Sequence, residues 1–126
     1  MIYLIRHGIA ENFADSDFNR ELTLEGRIKL YDDFKKFQLE NNLETFKIKS
    51  SPYIRARQTA EILSRVLNKN FEIDDDLGFS GDYVKIIEKL SGDYILIGHE
   101  PMISDAIYRL VGNKIIVSKG SIHRVR

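Results

Sequence analysis

Three short segments hold the residues of this chain best suited to chemistry: Arg6-His7-Gly8, Ser51-Pro52-Tyr53-Ile54-Arg55 and Gly98-His99-Glu100-Pro101. An arginine presents a forked, permanently charged set of donors that matches the oxygens of a phosphate. An uncharged imidazole can attack phosphorus and carry the phosphoryl group itself, splitting one displacement into two. Guanidinium groups around it would stabilise the charge in flight, where positioning and electrostatics supply most of the catalysis. Arg6 and Arg55 beside His7 and His99 therefore point to an anion pocket with His7 as the candidate nucleophile. The arginines would depress the His7 pKa and keep it unprotonated. His99 could neutralise the transferring group when protonated or position it when not. Gly8 would let the backbone approach a ligand closely.

For these segments to act together, the elements before them must end at one place. Residues 1–5 form a continuous apolar run, the pattern of a strand buried on both faces, and Asp93 to Ile97 repeats it. Thr45 to Lys49 alternates like a strand, Phe71 to Ile73 is a short one, and Ile115 to Val117 and Ser121 to Val125 read as terminal strands. A helix is expected over 24–41, opened by Thr23, with Tyr31, Phe34 and Phe37 in the core. Ser50-Ser51-Pro52 predicts another helix start, serine as cap and proline in the first turn. Further helices are expected over 83–91 and 102–111, the last stopped by Gly112. This alternation predicts an α/β fold: three layers, α/β/α, with a mostly parallel central sheet. Ligands of such sheets bind beyond the carboxyl ends of the strands, where all three reactive segments fall.

The totals narrow the class. A chain of 126 residues favours one domain, 1–126. Lysine plus arginine and aspartate plus glutamate number 19 each, so no global field would recruit nucleic acid or a membrane surface. The absence of cysteine excludes disulfides, thiolate nucleophiles and a cysteine zinc site. The apolar run before Arg6 is too short for a signal peptide or a membrane span, and a cytoplasmic protein is expected.

These segments resemble the histidine phosphatase superfamily, also called phosphoglycerate-mutase-like. Arg6-His7-Gly8 after an N-terminal strand is its hallmark. Leu22-Thr23-Leu24-Glu25-Gly26 is similar to its helix start, residues 51–60 (SPYIRARQTA) to its second motif, and Gly98-His99-Glu100-Pro101 to its second-histidine motif. The short chain resembles the minimal phosphohistidine phosphatases of the SixA type, which lack a large inserted cap. The resemblance implies His7 as nucleophile, with Arg6, Arg55 and His99 binding the phosphoryl group and Arg20 as a fourth contact. It implies no metal and no cofactor. The partner would be a phosphorylated protein or a small phosphorylated substrate.

One departure bears on the substrate. Where family members place an acidic general acid, this chain reads Asp74-Asp75-Asp76-Leu77-Gly78-Phe79. An alkoxide leaving group needs protonation, whereas the imidazole of phosphohistidine needs less help. That favours phosphohistidine, with Asp76, Asp82 or water left as proton donors. Plainer roles compete: Arg20 as a surface ion pair, His99 as a structural cap, Arg57 as a solvated charge, His123 as a structural strand residue and the aspartate run as a solvated loop. A small-molecule phosphomonoesterase, a non-catalytic phosphate-binding module and a metallohydrolase using His7, His99 and aspartates are the alternative functions.

Overall fold

The computed structural model describes residues 1–126. Its first strand, β1 (Ile2–Arg6), is buried on both faces, and each face has its own core. Tyr3 and Ile5 join Ile48 of β2 (Lys47–Ser50) and Ile95 and Ile97 of β4 (Tyr94–Gly98) in one apolar cluster. Ile2, Leu4 and Leu96 belong to the other. This is the two-residue period of a strand, read out on opposite sides of the sheet. Helices α1 (Leu24–Glu40) and α2 (Ile54–Leu67) cover the first face through Leu30, Phe34, Phe37, Ala56, Ala60 and Leu63. Helices α3 (Tyr83–Lys89) and α4 (Met102–Val111) cover the second through Val84, Ile87, Ile103, Ala106 and Ile107. The α/β/α layering expected of the sequence is the architecture observed.

The sheet order is β3-β2-β4-β1-β5, where β3 is Phe71–Ile73 and β5 is Ile122–Arg124. β1, β2, β3 and β4 run parallel, and β5 lies antiparallel on β1. The register decides where the chemistry lands. Arg6 pairs with Gly98, and Ser50 pairs with Ile97, so β1, β2 and β4 end level with one another. The three reactive segments leave the sheet at that common rim.

Two expectations are corrected here. Residues 115–117 form no strand: Ile116 is 92 % exposed, and the carbonyl of Val117 accepts the Arg6 guanidinium instead of a ladder hydrogen bond. Tyr31 is 51 % exposed, because Leu30, Phe34 and Phe37 form the inner stripe of α1 and Tyr31 lies on the stripe beside it, with Leu24 and Ile28. Gly8 also has a packing role: a Cβ there would come within 2.6 Å of Leu30 Cδ1, so the glycine lets α1 lie against the end of β1. No helix is long and apolar enough to cross a membrane.

Candidate active site

The rim carries two buried imidazoles and a buried guanidinium. His7, Arg55 and His99 are 6 %, 4 % and 0 % exposed. Burial of a polar group is costly unless its donors and acceptors are met, so the partners decide what each group can do. Nδ1 of His7 lies 2.8 Å from the carbonyl oxygen of Gly8. That oxygen only accepts, which puts the ring proton on Nδ1 and the lone pair on Nε2. Arg55 Nε donates to that Nε2 at 3.2 Å. The His7 and His99 rings are 5.2 Å apart, centroid to centroid.

Each group is held by local structure. Arg55 sits in the first turn of α2, where the helix dipole adds positive potential. Thr59, one turn on, accepts the Gly8 N–H at 3.1 Å and donates to the Arg55 carbonyl at 2.8 Å, tying the histidine segment to the arginine helix. His99 follows β4 directly; its N–H donates to the Tyr83 hydroxyl, which donates in turn to the Leu77 carbonyl. Tyr83 can approach because residue 98 is glycine: a Cβ there would collide with the phenol. The expected serine cap is replaced by another arrangement. Tyr53 occupies the cap position of α2 without a side-chain bond, Pro52 stays outside the helix, and the Ser51 hydroxyl lies 2.7 Å from Nε2 of His99.

Burial, first of all, lowers the His7 pKa to about 4; Arg55, Arg6 and Arg20 push the same way, against the hydrogen bond that His7 donates to the Gly8 carbonyl. The arginines therefore act in the expected direction, but desolvation is the larger cause. His99 is lowered to about 3, again chiefly by burial, then by His7 and Arg55. Both rings are neutral at physiological pH. Two buried polar atoms lack a partner: Arg6 Nε and His99 Nδ1. They belong to residues flanking His7, and an oxyanion there would satisfy such a donor.

The remaining candidates are engaged with other partners or lie further out. Arg6 Nη1 donates to Val117 O at 2.9 Å. Arg20 donates to the Glu11 carbonyl at 2.7 Å and pairs with Asp17 at 3.0 Å, so the ion-pair role is what the structure displays, although its charge is felt at His7. Asp82 caps α3 and pairs with Arg109, whose hydrogen bond holds its pKa down; it is unsuited to giving up a proton. Asp76 shares a charged surface hollow with Lys49, Asp74, Asp82 and Lys85, apart from the histidines. Arg57 is exposed, and His123 rests on β5 with Nε2 2.7 Å from the Ser121 hydroxyl. No three or more His, Asp or Glu side chains cluster as metal ligands would.

Sequence reasoning missed four contributors. Ser51 and Tyr83 hold His99; the sequence offered Ser51 only as a helix cap and Tyr83 only as a helix residue. Asp17 binds Arg55 through its backbone oxygen at 2.8 Å and its carboxylate at 3.2 Å. Only the fold brings that loop over the helix. Phe79 stacks on His99, 4.3 Å between centroids and 29° between planes, with Tyr53 5.1 Å from His99 and 5.0 Å from Phe79. The aromatic side chain at 79 was visible in the sequence, but its partner was not.

Comparisons with known proteins bear on the family and the fold. A family model described as histidine phosphatase superfamily (branch 1) matches residues 2–78. A phosphohistidine phosphatase SixA homolog of Haemophilus influenzae is 28 % identical over 130 residues, spanning 90 % of this chain and 78 % of that one. Among solved structures, the protein histidine phosphatase SixA complexed with tungstate superposes with a TM-score of 0.83 at 25 % identity, covering 96 % of this chain and 84 % of that one. A phosphoserine phosphatase of Entamoeba histolytica bound to phosphoserine has the same fold, with a TM-score of 0.71 at 15 % identity; 96 % of this chain and 87 % of that one are covered.

Proposed function

The chain belongs to the histidine phosphatase superfamily, and from that premise we propose that it is a phosphatase working through a phosphohistidine intermediate on His7, with phosphohistidine in proteins as substrate. One observation carries the reading: a neutral, tautomerically fixed Nε2 lies in hydrogen-bond reach of a buried guanidinium, with a second neutral imidazole beside it. The tungstate bound to SixA, an oxyanion in a relative of the same fold, supports it.

The steps follow from the lone pair. Nε2 attacks phosphorus; a P–N bond to His7 forms as the bond to the leaving group breaks, and the departing nitrogen takes a proton from solvent. Arg6 and Arg55 hold the three equatorial oxygens and spread their charge, and His99 orients them. Water then attacks phosphorus, the P–Nε2 electron pair returns to His7, and phosphate leaves. Metal and cofactor have no part in this scheme. Arg20 contributes charge from the rim.

The phosphohistidine preference rests on leaving-group chemistry. The carboxylate bound to the site, Asp17, has its pKa lowered, first by its hydrogen bond to Arg20, so it is a poor proton donor. The test is a substrate panel of a phosphohistidine protein, phosphoserine and a simple alkyl phosphate, run on wild type and His7→Ala. Phosphohistidine turnover that vanishes in His7→Ala is expected. Equal turnover by His7→Ala would refute the nucleophile; faster turnover of the alkyl phosphate would favour a small-molecule phosphomonoesterase.

A further inference from the structure

The floor of the site is closed, so substrate must enter past its rim. His7, Arg55 and His99 are almost fully buried, while Phe79 is 44 % and Phe18 39 % exposed and Tyr53 half-buried. These rings are contiguous: Phe18 lies 5.0 Å from Tyr53, Tyr53 lies 5.0 Å from Phe79, and Phe79 stacks on His99. The Arg55 guanidinium carbon is 5.1 Å from the Tyr53 centroid and 5.8 Å from that of Phe79. An aromatic wall thus begins on an imidazole of the phosphoryl site and runs outward to solvent.

The wall is fixed rather than loosely folded over. Tyr83 pins the Leu77 carbonyl, two residues before Phe79, and the His99 N–H with one hydroxyl. Nearby acids are engaged or placed elsewhere: Asp82 with Arg109, Asp74 with its own turn and Lys49, Asp17 with Arg20 and Arg55, Glu100 with the Ser104 N–H, and Asp76 in a surface hollow apart from the histidines. The side chains stacked at the mouth of the site are therefore rings and not carboxylic acids.

We propose that Phe79, with Tyr53 beside it, forms the leaving-group subsite and binds a planar aromatic ring by stacking. The ring is the imidazole of phosphohistidine or the phenyl of an aryl phosphate; a flexible alkyl chain gains less there. This rests on the placement of the phosphoryl group at His7 argued above. Offset stacking or edge contact at such spacings is favourable beyond simple burial of area. The delocalised ring is also the better leaving group where no acid assists.

Phosphonates that cannot be turned over test the subsite separately from catalysis. Calorimetric titration of the full chain should show phenylphosphonate binding about tenfold more tightly than methylphosphonate, the scale of one aromatic stack. Phe79→Ala should reduce that ratio to about twofold or less, and Phe79→Tyr, which restores a ring, should retain it. A parallel loss for both phosphonates in Phe79→Ala would mean that Phe79 only props His99 and would overturn the proposal. So would a wild type without preference for the phenyl compound. If the preference is found but phosphohistidine is not hydrolysed, the subsite stands and the catalytic reading fails. If phosphohistidine is hydrolysed without the preference, the reverse holds.

Discussion

His7, Arg55 and His99 sit almost fully buried at the ends of paired strands and the first turn of a covered helix, whereas residues 11–19, which reach Arg55 from outside, are all exposed. The floor is positioned by the sheet register and by two apolar cores. The loop is fastened by hydrogen bonds: Ile54 N–H to Phe18 O, Arg55 to Asp17, Leu22 N–H to Gln58, and one isolated bridge between Ala10 and Leu22. Deep groups thereby acquire perturbed chemistry, since burial is the main cause of both lowered histidine pKa values. Shallow groups keep solvent-screened charges, worth little individually. Substitutions in the floor should therefore change rate by orders of magnitude, and those in the loop by small factors.

Arg55→Ala challenges that contrast most severely. It removes the donor nearest the nucleophile and should lower kcat/KM by ~10²–10³-fold, with Arg55→Lys recovering little because the fork is lost. Steady-state kinetics on any accepted substrate check this; a loss under about threefold would place the phosphoryl group elsewhere.

Acid comes next. Protonating His7 destroys its lone pair, so kcat/KM should hold down to about pH 5 and fall through about 4, tenfold per further unit. Stability should move with it. Both histidines bind protons more weakly folded than unfolded, where the ordinary value is 6.5. The unfolded chain therefore takes up protons first, and stability present above about 6.5 drains away as pH falls towards about 4 and about 3. Urea midpoints unchanged from pH 7 to 5 would contradict the burial of both rings.

Ser51→Ala probes the support beneath the floor. It leaves Nε2 of His99 without its hydroxyl partner and should reduce kcat by about tenfold, with KM changed less, because misorientation acts mainly on the transition state. Ser51→Thr, if the extra methyl is accommodated, should restore much of the loss.

Asp17→Asn should give the smallest effect, and in the opposite sense. It removes a carboxylate that shares the Arg55 fork, so vanadate or phosphate should bind a few-fold more tightly. Weaker binding on isothermal titration would show that Asp17 positions the arginine rather than competing for it.

Much of the fold was legible in the sequence because its signals are local. The apolar runs ending at Ile5 and Ile97, the Thr23 cap whose hydroxyl accepts the Gly26 N–H, and the αL stop at Gly112 each follow from nearest-neighbour chemistry. Arg6 and His7 at one strand end, His99 at another and Arg55 in the first turn of a helix were enough to predict that these groups would meet at one rim, as His7, Arg55 and His99 do. The first of the two expected terminal strands, 115–117, and the burial of Tyr31 were misjudged because apolar residues alone cannot say which segment pairs or which of two adjacent stripes meets the core.

Other features depended on contacts between residues distant in sequence. Ser51 met His99 across 48 positions, Asp17 met Arg55 across 38, and Phe79 found the imidazole 20 residues on. The sequence determined which groups could act on a phosphoryl group, because side-chain chemistry is intrinsic. The tertiary structure alone decided their ionisation, tautomer and partners, because those depend on how much water each group loses and which dipoles replace it.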